Sequence, residues 1–457
     1  MIKNFSLIAL LIIVLIWVEE VRAQVQSSTG DQKVQQILAA ISPDTIRVNL
    51  TKLVSFGTRN TFSDTSSDKR GIGAARRWIH RTFSRYAKNS GGRLQVSFDF
   101  FDQPLEGRAA EETKLSSIRT ANVIAMLPGK KDNLMYIVGG HFDSMNGNRY
   151  DGTIDAPGAN DDGSGTVAIM ELARVMSQYE FDHTLMFVAF TGEEQGLWGS
   201  YHLAKRAKEK GWQIGGMITN DIVGNTFGGE GQKGNEYVRC FSPDPEDSPS
   251  RHFARFAKKH VELLAPEMKI EMIFRLDRFG RGGDHRPFTE NGFAGIRFTE
   301  PNEFFARQHT GEDRLDFVDF DYIARVAKVN ATTIACLADA PRPPQLVMIN
   351  RDLATYETVL TWRADESVGE LQGFKILMRE TIERYWQEER MIDAPELKEV
   401  QPWGKVYEAR LRGRSIDKYV FGLASIGTNG RESVAASFDL QAAQAWVRAQ
   451  REKQVSK

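Results

Sequence analysis

Beyond Leu134 the chain settles into a rhythm that few folds can satisfy. A short apolar run is followed by a loop rich in glycine or acids, then an amphipathic helix, then the next apolar run. The runs are Met135-Tyr136-Ile137-Val138, residues 185–190, Met217-Ile218 with its neighbours, and residues 294–298. Helical spacing fills residues 166–178, 197–208 and 252–264 between them, and a last helix covers 322–337. Strands apolar on both faces must be covered on both, and alternation with helices achieves that. The expected class is therefore α/β, with a mostly parallel mixed sheet flanked by helices. Upstream, Val34, Ile37 and Leu38, then Ile46, Leu50 and Leu53, then Ala74, Trp78, Ile79 and Phe83 recur at helical spacing. Residues 94–101 alternate apolar with polar, and residues 118–127 read as a further strand closed by Pro128-Gly129.

The rhythm stops at Asp339-Ala340-Pro341-Arg342-Pro343-Pro344, a proline cluster that reads as a linker. Short strands come next at residues 358–362, 373–377 and 418–425, with a turn at Thr428-Asn429-Gly430. The early Trp362 and the late strand through Tyr419 resemble a fibronectin type III domain, an all-β immunoglobulin-like sandwich of about 100 residues. At the other end, Lys3, the apolar run 7–18 and Val21-Arg22-Ala23 succeed one another. That run is about a dozen residues, short of the roughly 20 that span a bilayer. The pattern is that of a cleaved secretory signal, so a secreted or periplasmic protein with no stable membrane insertion is expected.

Acids and bases nearly cancel, 60 against 59, for a net charge of −1. Such a chain has no global field for nucleic acid or an anionic membrane, so any activity must come from a local site. Cys240 and Cys336 read as two buried small apolar residues, although an exported protein permits a bridge between them.

The residues that carry chemistry stand just past the apolar runs. His141 and Asp143 come after the first, Glu193 and Glu194 after the second, Asp221 after the third, and His309 after the fourth. Asn160-Asp161-Asp162-Gly163 opens the helix between the first two. In an open parallel sheet, ligands bind in the crevice beyond the carboxyl ends of the strands, so residues far apart in sequence converge there. Two His and several carboxylates suit a borderline metal such as zinc. One ion needs only three protein ligands; the surplus points to two ions sharing a carboxylate. Of the adjacent pair Glu193-Glu194, one can face metal and the other the attacking water.

The strings Gly139-Gly140-His141-Phe142-Asp143-Ser144, Ala156 to Gly165, Thr191 to Ser200, Asn220-Asp221 and His309-Thr310-Gly311-Glu312-Asp313 resemble the M28 family of zinc peptidases, in the family's order. The resemblance covers about residues 30 to 338 and is nearest the bacterial leucyl-type aminopeptidases. It implies a zinc exopeptidase fold and two Zn2+ per chain. His141 and Asp221 would bind one ion, Glu194 and His309 the other, and Asp161 both. Glu193 would be the general base, with Asp143 orienting His141. The bond Asp161–Asp162 is similar to one that is cis in this family, and Asp162 is expected to cap the helix. The plan is then a signal at 1–23, a peptidase domain at 24–340, a fibronectin-like domain at 341–440 and a polar tail at 441–457.

The implied partners are peptides with a free N-terminus; the sequence does not decide the oligomeric state, and a monomer is favoured. Rival readings are a carboxypeptidase acting on acidic dipeptides, a glutaminyl cyclase, and a non-catalytic binding protein. The roughly 90 residues before the core strands leave no room for the carboxypeptidases' inserted domain. The cyclase branch lacks equivalents of His141 and Asp221, and binding relatives lose metal ligands. His80, His183, His202, His252 and His260 read as surface residues, and His285 has no assigned role. The segment Phe279-Gly280-Arg281-Gly282-Gly283 reads as a pocket loop, with Asp284 in the pocket wall.

Overall fold

A computed structural model describes residues 31–438 except 132–133, 350–355, 365–370, 393–395 and 401–403, together with positions 444 and 448. The expected signal at 1–23 and nearly all of the polar tail lie outside the described residues. The chain divides into two units, one of residues 36–338 and one of residues 339 onward with 31–35.

In the first unit an eight-stranded sheet has the order β1-β2-β4-β3-β5-β8-β6-β7. The strands are β1 (Gln95–Pro104), β2 (Ser117–Leu127), β3 (Leu134–His141), β4 (Thr184–Phe190), β5 (Gln213–Asn220), β6 (Tyr237–Phe241), β7 (Lys269–Ile273) and β8 (Gly295–Thr299). The centre, β4-β3-β5-β8, is parallel throughout. Strands β1 and β2 pair antiparallel on one flank. On the other flank β6 runs antiparallel to β8 but parallel to β7. Every residue of β4 is buried, as a strand covered on both faces requires.

The helices are α1 (residues 31–40), α2 (Pro43–Val54), α3 (Gly71–Asn89), α4 (Gly107–Thr113), α5 (Gly163–Met176), α6 (Trp198–Glu209), α7 (Pro249–Leu264), α8 (His285–Glu290) and α9 (Phe320–Ala338). Serine caps followed by proline start two of them: Ser42 accepts from the Thr45 N–H and Ser248 from the Arg251 N–H. One core is Ile137, Met186, Val188, Phe190 and Met217 from the sheet, packed on Leu203 of α6 and Phe288 of α8. Helix α5, the crossover from β3 to β4, is buried on nearly all sides.

The second unit holds two four-stranded antiparallel sheets. One is β13 (Glu396–Val400), β14 (Gly404–Arg412), β10 (Glu357–Arg363) and β9 (Gln345–Ile349). The other is β12 (Glu388–Ile392), β11 (Leu371–Glu380), β15 (Tyr419–Gly427) and β16 (Ala436–Ser437). Val347, Leu360, Trp362 and Leu411 from the first share a core with Phe374, Ile376, Phe421 and Leu423 from the second. The Trp362 and Phe374 rings meet edge-on with centroids 5.1 Å apart. This unit is all-β. Among the described residues no helix is long and apolar enough to cross a membrane.

Candidate metal centre

Because β4, β3, β5 and β8 are parallel neighbours, their carboxyl ends share one edge of the sheet. His141 is the last residue of β3 and Asp221 is the first beyond β5. After β4 the chain turns through Gly192 at φ +69°, a conformation open to glycine, and delivers Glu193 and Glu194. The loop after β8 carries His309, itself left-handed at φ 55°. Asp161 arrives ahead of α5, and the Asp161–Asp162 bond is cis.

The expected ligands converge. His141 Nε2 lies 3.4 Å from Asp161 Oδ1, 3.7 Å from Asp221 Oδ1 and 3.9 Å from Glu193 Oε2. His309 Nε2 lies 3.1 Å from Asp161 Oδ2 and 3.3 Å from Glu194 Oε2. Asp161 therefore turns one oxygen to each imidazole, and each imidazole has a further carboxylate beside it. His141, Glu193 and Asp221 form one group with metal-ligand spacing, and His141, Asp161 and Glu194 another.

The supporting contacts explain the orientations. His141 Nδ1 donates to the Asp143 carbonyl at 3.2 Å, which leaves Nε2 facing the cluster. The Asp143 carboxylate, 3.7 Å from that ring, accepts from the N–H groups of Glu193 and Glu194 at 3.2 and 3.1 Å. So Asp143 holds the ring through its backbone and the 193–194 loop through its side chain. Asp162 caps α5, with Oδ1 accepting from the Gly165 N–H at 2.9 Å. Its other oxygen accepts from the His141 N–H at 3.0 Å, and the Ile222 N–H reaches Oδ1 at 3.3 Å. One side chain thus joins the β3 end, the β5 end and the helix between them.

Several residues that organise the site have no role assigned from the sequence. Asp313 accepts from the N–H groups of Asn160 and Asp161 at 2.8 and 2.9 Å, and burial raises its carboxyl to about 7. Arg59 is wholly buried and donates to the carbonyls of Phe142, Pro157 and Gly158. Glu300 accepts from the Asn160 side chain and the Asn225 N–H. Arg297, in the middle of β8, pairs with Asp221 at 3.1 Å and Asp277 at 2.8 Å. Its signal was legible: a charge inside an otherwise apolar run needs a buried partner. Asp313 ends the His309 motif, but hydrogen bonds to backbone, made by it and by Arg59, leave no pattern of their own in a sequence.

Electrostatics and unpaired polar atoms agree on what the cluster could hold. Burial, then repulsion from Asp161 and Glu193, pushes Glu194 well above the usual carboxylate range. Burial also raises Glu193 well above that range, with Asp221, Asp284 and Asp143 adding to it. Burial alone would lower His141, yet Glu193 and the other nearby carboxylates hold it well above the ordinary imidazole range. His141 Nε2, Asp161 Oδ2 and Glu194 Oε1 are buried without a hydrogen-bond partner. Buried carboxylates held this close keep their charges only beside a cation. The donor set, imidazole nitrogen and carboxylate oxygen, fits zinc.

A cavity of about 600 Å3 opens on the cluster and includes Gly280, Arg281 and Gly282, so the glycine-rich segment borders the site as expected. Asp284 is buried behind it; its Oδ1 accepts from Ser200 at 2.5 Å, and burial raises it to about 7. His285 is buried and pushed by burial down to about 4; its neutral ring donates to the Leu276 carbonyl at 2.7 Å. Two histidines depart from expectation. His183 and His252 are buried, 1% and 3% exposed. The chain entering β4 is pinned by the His183 N–H to the Ala338 carbonyl, and His252 lies on the face of α7 that packs inward. Cys240 and Cys336 are buried and not disulfide-linked.

The chain matches the model of peptidase family M28 over residues 122–334. It is 37% identical over 433 residues to a probable zinc metalloprotease of Leptosphaeria maculans, covering 89% of this chain and 96% of that one. A probable zinc metalloprotease of Pyrenophora tritici-repentis is 36% identical, with 89% and 97% covered. Among solved structures, the LapA aminopeptidase of Legionella pneumophila superposes with a TM-score of 0.52 at 21% identity, over 66% of this chain and 73% of that one. The aminopeptidase from Aneurinibacillus sp. strain AM-1 gives 0.50 at 17% identity, over 67% and 96%. At those identities the likeness is one of fold.

Proposed function

The chain belongs to peptidase family M28, and from that premise we propose that it is an exported two-zinc aminopeptidase. The carrying observation is Asp161, whose two oxygens face two different imidazoles at 3.4 and 3.1 Å. His141 and Asp221 would hold one zinc, Glu194 and His309 the other, and Asp161 both. When bound, zinc supplies Lewis acidity, polarising the scissile carbonyl and acidifying water. Glu193 takes the proton of the attacking water on its carboxylate and returns it to the departing amine. Asp143 keeps Glu193 in place by accepting its N–H, and Arg297 holds Asp221 to a single free oxygen. Two fold neighbours are named aminopeptidases, which supports the N-terminal bond as the target. The domain plan expected from the sequence is retained, with residues 1–23 removed on export.

The test is a panel of aminoacyl chromogenic amides, free and N-acetylated, with metal counted on the same sample. Cleavage of the free-amine substrates alone, lost in chelator and restored by zinc, is the expected outcome. Glu193→Gln should lower kcat by on the order of 10²–10⁴ with zinc content retained. Equal cleavage of acetylated and free amides would sink the aminopeptidase reading, and one zinc per chain at saturation would sink the two-metal site.

A further inference from the structure

The cavity beside the expected metal ligands has a lining poor in apolar side chains and rich in arginine. Among the described residues its only large apolar side chains are Leu197 and Tyr201, and three arginines, Arg149, Arg281 and Arg286, face it. Arg286 is committed: its Nε bonds Glu290 at 2.7 Å, and the Tyr201 hydroxyl donates to the same carboxylate at 2.7 Å. Arg149 and Arg281 differ. Among the described residues neither has a carboxylate within ion-pair distance, and the Arg281 side chain bonds only the Gln308 amide oxygen, at 3.1 Å.

Both are nevertheless held in position at the backbone. The Arg149 carbonyl accepts from Asn60 Nδ2 at 3.1 Å and from Gln195 Nε2 at 2.8 Å, and both donor residues are buried. Gln195 directly follows the Glu193-Glu194 pair, so Arg149 is tied to the catalytic loop. Arg281 donates its N–H to the Arg278 carbonyl, and its side chain reaches Gln308, the neighbour of His309. Two arginines are thus anchored at the backbone on separate loops that line the same cavity. The cavity's own acids, Asp161, Glu193, Glu194 and Asp221, are already claimed by metal and proton transfer. The charge left to meet a substrate is positive, and a guanidinium binds a carboxylate through two parallel hydrogen bonds.

We propose that Arg149 and Arg281 select substrates that carry a carboxylate one residue from the scissile bond. The inference rests on the aminopeptidase reading. The carboxylate comes either from the side chain of an N-terminal Asp or Glu or from the free C-terminus of a dipeptide.

The full chain loaded with zinc is assayed on glutamyl, aspartyl, leucyl and lysyl p-nitroanilides, and on alanyl-alanine against its C-terminal amide. We expect kcat/KM for glutamyl over leucyl, or for the dipeptide over its amide, to be about tenfold or more, roughly one well-made charged contact. The first result assigns the carboxylate to the side chain, the second to the chain terminus. In R149Q/R281Q that ratio should fall about tenfold, and in R281Q alone by less, with the melting temperature unchanged in both. Raising ionic strength should shrink the ratio in the natural protein and not in the double variant. A leucyl preference with no gain for the free dipeptide overturns this inference alone, as does an acidic preference that survives R149Q/R281Q. No cleavage of any amide or dipeptide overturns it together with the aminopeptidase reading.

Discussion

Arg297 is wholly buried in the middle of β8, with nitrogens 3.1 Å from Asp221 and 2.8 Å from Asp277. The two carboxylates hold its guanidinium well above even the ordinary arginine range, although burial opposes them. Removing one partner of a buried ion network leaves charge without compensation. Arg297→Met should therefore cost about 3–5 kcal/mol in denaturant unfolding. Zinc affinity should drop by about 10–100-fold, because Asp221 loses the partner that fixes it. Arg297→Lys should rescue little, since an ammonium cannot fork to two carboxylates. An unchanged unfolding midpoint and zinc titration in Arg297→Met would show that the pair is incidental. At this scale the sequence was legible where a side chain joins the cluster with metal-ligand spacing. It was opaque where a side chain serves the backbone, as Asp313, Arg59 and the carboxylate of Asp143 do.

Helix α5 shows how an element carries the site. At Gly165 its first turn is pressed against the ends of β3 and β5 with no room for a side chain. A Cβ on Gly165 would stand 2.2 Å from the Asn220 carbonyl oxygen and 2.5 Å from Asp162 Oδ2. Thr166 reinforces the junction by donating to the His141 carbonyl at 2.7 Å. Gly165→Ala should displace Asp161 and Asp162 together, lowering zinc occupancy and costing about 1–3 kcal/mol or more of overpacking. Gly229→Ala, where nothing lies within 4 Å of the added methyl, is the matched control. Equal zinc content and equal melting temperatures in the two variants would rule this reading out. The long elements were readable from the sequence because burial stamps a period on them. Strands β6 and β7 were not: each has five residues and lies on the flank of the sheet. Lys269-Ile270-Glu271-Met272-Ile273 does alternate in period two, but five residues between loops carry a weak signal.

At the scale of the molecule, the described residues include two hydrophobic cores built from separate stretches of chain. Trp362 is wholly buried in the second and meets Phe374 and Tyr407. Trp362→Ala should destabilise that β unit by about 3–5 kcal/mol. Limited proteolysis followed by mass analysis should then show cleavage beyond residue 338 while zinc content of the 36–338 unit is kept. Loss of zinc in step with that cleavage would contradict two separate cores. The alternation of apolar runs with helices determined the α/β class by itself, because strands apolar on both faces have no other way to be covered. The placement of acids and imidazoles just past those runs determined which residues would meet, since parallel strands end on one edge. Only the tertiary structure decided which oxygen faces which nitrogen, which acids bond the backbone, and which arginines border the cavity. Those are matters of a few ångströms between loops distant in sequence, and no period or local pattern encodes them.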